Sequence, residues 1–279
     1  MTIAVAIIGF GEAGMALAPP GAFGFDLRDD AHMRADFHRC GVRRCDTAAE
    51  ALADARLVLS LVTADQALAV ARAAAPHLQP GSLWIDGNSV APDTKRAAAE
   101  AIEAAAGARY VDVAIMAPVH PSRRTVPTLL AGPHAASAQA ALLALGFTDL
   151  RVVAGPVGSA AAIKMIRSVM IKGIEALSAE CALAADAAGV LPEVLASLGA
   201  EWAGKFDYNL DRMIVHGTRR AAEMGEVVTT LDALGTGSAM SRATQARQAE
   251  LGAFGLTPPP GLDAKLAVLR PIRLAERAA

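Results

Sequence analysis

The segment Ala4 to Gly14, AVAIIGFGEAG, constrains the fold more than any other, because an apolar run ends within it on Gly9, Gly11 and Gly14. Each glycine meets a separate steric demand. Gly9 allows a tight turn at a strand end, Gly11 lets main chain approach a diphosphate with no Cβ in the way, and Gly14 lets the next helix lie close on the strand. The free N–H groups and positive end of that helix then hold the anion. With Ile3, Val5, Ile7 and Ile8 as the preceding strand, this reads as the first turn of a dinucleotide-binding fold. Its candidate cofactor-binding residues are Gly9, Phe10, Gly11, Glu12, Ala13 and Gly14.

Gly24-Phe25-Asp26 reads as the end of the second strand. Asp26 is placed to accept hydrogen bonds from the adenosine ribose hydroxyls, which favours NAD over NADP. Arg28 pulls the other way, because a guanidinium there would meet a 2′-phosphate. Pro19-Pro20 leaves room for only one or two turns of helix after the glycines.

Strand and helix patterns alternate through the first half of the chain, which predicts a parallel sheet covered on both faces. Strands are expected at Val42 to Cys45, Leu57 to Val62, Leu83 to Asp86, Tyr110 to Ala114, Pro127 to Ala131 and Arg151 to Ala154. Helices are expected over Thr47 to Ala55, Asp65 to Ala75, Pro92 to Ala106 and Ala136 to Leu145. Beyond Gly155 the apolar residues recur with helical period and no strand pattern is left. The expected division is a Rossmann-like α/β domain, 1–156, followed by an all-helical domain, 157–279. A chain of 279 residues is long enough to build both cores.

Composition excludes other classes. With 26 Lys and Arg against 28 Asp and Glu, no basic footprint for nucleic acid is expected. No apolar run approaches the ~18 residues needed to span a bilayer, and the start lacks a signal-peptide pattern. Cys40, Cys45 and Cys181 have no metal-like histidine partners, so reduced thiols of a cytoplasmic protein are expected, and no metal site.

An open α/β sheet binds ligands at the carboxyl ends of its strands. Here those loops carry Thr63-Ala64-Asp65-Gln66, Gly87-Asn88-Ser89-Val90-Ala91-Pro92 and Met116-Ala117-Pro118-Val119-His120-Pro121-Ser122. Val62, Thr63, Asn88 and Ser89 join the candidate cofactor residues. The next informative stretch, GPVGSAAAIKMIRS at Gly155 to Ser168, opens a long helix running to about Ala188 and expected to be mostly buried. At ~100° per residue, Lys164, Ser168 and Glu175 share one stripe with Lys172 at its margin. Desolvation of Lys164 in a cleft would lower its pKa and suit it to acid and base work.

Together these segments resemble the 6-phosphogluconate dehydrogenase and β-hydroxyacid dehydrogenase superfamily, and the C-terminal half is similar to its phosphogluconate-dehydrogenase-like branch. GFGEAG, LVTADQA, IDGNSVAP, MAPVHPS and GPVGSAAAIKMIRS carry the resemblance nearly end to end. It implies an NAD(P)-dependent dehydrogenase or reductase acting on CH–OH groups, with Lys164 as the proton-transferring residue. Ser168 then stands where the family commonly has asparagine, and Asn88-Ser89 stands at the usual Ser-Thr pair near the nicotinamide. Val119, His120, Pro121 and Ser122 occupy a substrate loop that is usually Ser-Gly-Gly, and a homodimer built through the helical domain is implied. The substrate is expected to be a small anionic hydroxy compound, held by Arg219 or Arg220, with or without His216, or by Arg123-Arg124; Lys172 is a further candidate. Surface ion pairs with Glu223 are the plain alternative for Arg219 and Arg220. Three other activities fit parts of the pattern: an imine reductase, which usually lacks the lysine; a methyltransferase with a similar glycine turn; and a non-catalytic NAD-binding sensor.

Overall fold

The computed structural model describes residues 3–278, the side chains of Ala106 and of residues 271–278 excepted. By packing, the chain divides into two compact units, Met1–Met165 and Ile166–Ala279.

The first unit is built on β1 (Val5–Ile8), β2 (Phe23–Phe25), β3 (Arg43–Arg44), β4 (Leu57–Ser60), β5 (Leu83–Asp86), β6 (Arg109–Ile115), β7 (Thr128–Ala131) and β8 (Leu150–Val152). They form one sheet in the order β3-β2-β1-β4-β5-β6-β7-β8. From β3 to β6 all pairs are parallel, with Ile8 beside Ser60, Ser60 beside Asp86, and Asp86 beside Asp112. The carboxyl ends of β1, β4 and β5 therefore share one edge. The expectation of an all-parallel sheet is corrected at β7, which runs antiparallel to β6. Only a loop and a short 3₁₀ turn, Arg123–Thr125, join the two strands. A parallel return needs a full crossover, usually a helix, and none is there.

Both faces of the sheet are apolar, as parallel strands require. On one face Ile7, Leu59, Ile85 and Val113 pack with Leu17, Phe37 and Phe147. On the other, Ile8, Val58, Trp84 and Tyr110 pack with Leu52, Ala71 and Ile102. The helices of this unit are α1 (Glu12–Leu17), α2 (Ala31–Arg39), α3 (Ala48–Leu52), α4 (Ala67–Ala74), α5 (Pro92–Ala106) and α6 (Ala135–Ala144). α1 is the short helix that Pro19-Pro20 dictates. α2 has no counterpart in the sequence expectations, because its apolar signal is only Met33 and Phe37, one turn apart. Asp30 caps it by accepting the Met33 N–H at 2.8 Å.

The second unit holds most of α7 (Ser159–Ala188), then α8 (Leu191–Leu198), α9 (Trp202–Ala233), α10 (Ala239–Ala253) and α11 (Leu262–Ala278). Ala179, Leu183, Phe206, Leu210, Met213, Leu251, Leu266 and Leu269 form its core. The last helix packs on this core through Leu266 and Leu269; the side chains of its final turns lie outside the described residues. α9 and α10 cross main chain to main chain where Gly217 meets Gly252. The division between units falls within α7, beyond the expected boundary at 156/157. The first turn of that helix is tied to β6 by Asp112, as described below.

α7 corrects a second expectation. Its apolar residues do not mark a buried helix: Ile166, Met170, Ile174 and Leu177 are 50%, 63%, 39% and 56% exposed. At ~100° per residue these four lie within a quarter turn of one another. Ser168, Lys172, Glu175 and Ser178, on the other side, are buried. Over residues 166–178 the helix thus sets an aliphatic stripe outward opposite a buried polar one, while Met165, Ala179 and Leu183 of the same helix are buried. Among the described residues no helix is long and apolar enough to cross a membrane. No group of His, Cys, Asp or Glu side chains among them is placed to hold a metal ion.

Candidate active site

The glycine turn closes β1 against the loop after β4. Gly9 has φ +90°, and a Cβ there would sit 2.6 Å from the Leu61 carbonyl oxygen. A Cβ on Gly14 would lie 2.4 Å from the Gly9 carbonyl oxygen. Both positions are therefore closed to side chains by the protein itself. Gly11 differs: nothing lies within 4 Å of the place its Cβ would take. A glycine kept where the protein leaves room fits a ligand that comes close to main chain.

Phe10 contributes through its backbone, because its ring is fully buried and stacks on Phe37 at 3.9 Å. Its N–H donates to Asp26 Oδ2 at 2.7 Å, and Asp26 Oδ1 accepts the Arg28 N–H at 2.9 Å. The carboxylate is thereby fixed at the end of β2, beside the turn. Glu12 is exposed and Ala13 half-buried in the first turn of α1.

The next loops are locked together by Asn88. Its Oδ1 accepts the Val62 N–H at 2.7 Å, its Nδ2 donates to Ser60 Oγ at 3.0 Å, and its own N–H donates to Asp86 Oδ1 at 2.9 Å. Asn88 is 4% exposed, so its amide sets the path of the loops after β4 and β5. Thr63 is exposed and Ser89 half-buried. Lys164, on the second turn of α7, donates from Nζ to Ser89 Oγ at 2.6 Å. Residues 75 apart in sequence thus meet at the carboxyl edge of the sheet.

In the loop after β6, Val119 is buried, His120 and Pro121 are exposed and joined by a cis peptide bond, and Ser122 is half-buried. Arg124 donates to the Leu145 carbonyl at 2.6 Å, which ties this loop to the end of α6.

The second unit holds the remaining candidates. Ser168 lies on the inward side of α7. Lys172 is buried and its Nζ lies 2.7 Å from Glu223 Oε2; burial pushes its pKa down, and Glu223 opposes that shift. Arg220 is buried against Glu175, its Nε donating to Oε2 at 2.9 Å, and Gln248 donates to the same oxygen at 2.9 Å. The charges of Lys172 and Arg220 are matched inside the helical unit. Arg219 is half-exposed, 3.9 Å from Glu223 one turn on. His216 is half-buried.

Sequence reasoning missed Lys95 on α5, which is fully buried. Its Nζ donates to the Asp86 carbonyl at 2.6 Å and to Asp86 Oδ1 at 2.9 Å. One signal was available: a lysine in the first turn of a helix is disfavoured by the helix dipole and calls for a local anion.

Residues 4–146 match the NAD binding domain of 6-phosphogluconate dehydrogenase, and residues 185–251 match a domain of unknown function, DUF1932. The chain belongs to the 6-phosphogluconate dehydrogenase and β-hydroxyacid dehydrogenase superfamily. A conserved hypothetical protein from Sinorhizobium meliloti is 39% identical, with 96% of each chain covered and a TM-score of 0.73. The 3-hydroxyisobutyrate dehydrogenase of Mycobacterium tuberculosis is 16% identical over 97% of this chain and 100% of its own, with a TM-score of 0.75, and shares the fold. An uncharacterized 28.5 kDa protein of Methanothermus fervidus is 27% identical over 61% of this chain, and the match spans 66% of that protein. As a superfamily member, the chain carries an NAD-binding domain, and the matched residues include the turn and the loops described above.

Proposed function

We propose that this protein is an NAD-dependent oxidoreductase that interconverts a small anionic β-hydroxyacid-like compound and its carbonyl form, with Lys164 as acid and base. The observation that carries this reading is the 2.6 Å contact of Lys164 Nζ with Ser89 Oγ at the sheet edge next to the glycine turn. Gly9, Gly11 and Gly14 would hold the dinucleotide diphosphate, Asp26 the ribose, and Val62, Thr63, Asn88 and Ser89 the nicotinamide end. When bound, NAD supplies the hydride acceptor. Lys164 takes the proton of the substrate hydroxyl in oxidation and returns it to the carbonyl oxygen in reduction. Ser89 holds the amine in place between these steps. Val119, His120, Pro121 and Ser122 form one wall for the substrate. Lys172 and Arg220 are assigned a structural part, because each is matched by a carboxylate and removing Arg220 would leave buried Glu175 uncompensated.

The test is a panel of hydroxyacids, ketoacids and imines with each nicotinamide coenzyme, followed by the absorbance of reduced nicotinamide. Turnover of a β-hydroxyacid supports the proposal. Turnover of imines alone, or tight NADH binding with no turnover across the panel, overturns it.

Asp26 supports NAD over NADP, because its carboxylate is held toward the turn with Asp29 and Asp30 close behind in sequence. A 2′-phosphate would meet the Asp26 carboxylate, whose charge Arg28 offsets in part from 3.4 Å. NADH should bind at least about tenfold more tightly than NADPH, and Asp26→Ser should narrow the gap. A fluorescence titration with both coenzymes checks this; equal affinity in the native protein would remove the assignment.

The outward aliphatic face of α7 supports a homodimer. Ile166, Met170, Ile174 and Leu177, exposed in a row on one face of the helix, are stabilised by burial against a second copy. Sedimentation velocity should give a dimer, and Met170→Glu should shift it to monomer at micromolar concentration.

A further inference from the structure

The first unit contains a buried charge cluster that the proposed reaction does not use. Asp86 ends β5, Asp112 lies beside it on β6, and both are fully buried. Lys95 Nζ stands between them, 2.9 Å from Asp86 Oδ1 and 3.7 Å from Asp112 Oδ1, and also donates to the Val113 carbonyl at 3.3 Å. Tyr110 donates from its hydroxyl to Asp86 Oδ2 at 2.6 Å. One lysine thus faces two carboxylates where an unmatched charge is costly.

Each carboxylate reaches a different half of the Lys164–Ser89 contact. Asp86 Oδ1 accepts the N–H of Asn88, and Ser89 is the next residue. Asp112 Oδ2 accepts the N–H groups of Gly158, Ala160 and Ala161 at 3.0, 2.9 and 3.2 Å. Those amides open α7, and Lys164 follows one turn later. Asp112 is therefore a cap for the helix that carries the amine. The excess negative charge of the cluster meets the positive end of that helix. Burial raises the Asp112 pKa, and Lys95 opposes the rise.

We propose that Lys95, Asp86 and Asp112 are positioning residues: a buried ionic strut that fixes the loop bearing Ser89 and the helix bearing Lys164 in one register. The two walls come from distant segments, and the strut is the charged link that joins them under the sheet edge. It rests on the reading of Lys164 as the acid and base, yet its test does not require turnover.

The chain has five lysines, of which Lys95, Lys172 and Lys265 are buried. Reductive methylation with ¹³C-formaldehyde therefore labels chiefly Lys164, the exposed Lys205 and the terminal α-amine, and Lys164→Arg identifies the first signal. Ser89→Ala gives the titration midpoint of a Lys164 amine that has lost its serine. Two variants then release the strut: Asp112→Asn, which removes one negative charge and keeps an acceptor, and the double variant Asp86→Asn with Lys95→Met, which leaves the net charge of the cluster unchanged. The strut predicts that both move the Lys164 midpoint by about half a unit or more, roughly threefold in the protonation equilibrium, to the Ser89→Ala value, while Lys205 stays put. A Lys164 signal that keeps its native midpoint in the double variant overturns the proposal, because a shift confined to Asp112→Asn is a through-space charge effect. If the strut holds and Lys164→Ala still turns over the panel substrate, the functional reading fails and the positioning stands.

Discussion

Replacing Lys164 by alanine will lower turnover by about 10²–10⁴-fold and leave the Kd for NADH within about twofold of the native value. The magnitude is that of a well-placed acid and base whose loss leaves coenzyme binding intact. The residue sits on α7, whereas the proposed coenzyme contacts come from the glycine turn, Asp26 and the loops after β4 and β5. A steady-state assay on the substrate found in the panel, with a coenzyme titration alongside, separates the two effects. Native turnover in Lys164→Ala would remove the proposed chemistry. Loss of NADH binding as well would make the lysine a coenzyme contact instead.

Gly11→Val will abolish measurable NADH binding, a loss of more than about 100-fold, while shifting Tm by only a few degrees. The backbone at Gly11 is extended, at φ −77° and ψ −157°, and no protein atom lies within 4 Å of its Cβ position. A valine there meets the ligand and not the fold, apart from a modest cost for a poor helix N-cap. Gly9→Val is the control, because a left-handed φ and the Leu61 carbonyl oppose any side chain. That variant should lose the folded unit along with the coenzyme. Thermal unfolding and NADH fluorescence read both quantities on the same samples. Retained NADH affinity in Gly11→Val would show that the ligand does not approach this turn.

Local pattern made much of this molecule legible. β5 and α5 fall where their sequences predict, because LWID is a buried apolar run and Pro92 marks a helix start. α2 was not legible, since two apolar residues in a charged nonapeptide carry little periodic signal. The antiparallel turn of β7 was not legible either, because strand direction depends on what the preceding loop leaves out. In the candidate site, Gly9 and Gly14 were readable one by one from steric need. Asn88 was read as a coenzyme neighbour, and its amide also serves as the clamp between two loops.

The charged residues mark the divide most clearly. Arg220 and Lys172 read as anion binders in the sequence, because a charge on a helix says nothing about a partner dozens of residues away. Folding brought Glu175 to one and Glu223 to the other. Residue order alone fixed the glycine turn, the alternation of strand and helix and the switch to all-helical structure, since each rests on steric and periodic rules acting over a few residues. Packing decided which charges are matched, which face of α7 is left apolar, and that Lys164 meets Ser89. Those outcomes depend on distances between segments that only a closed core brings together.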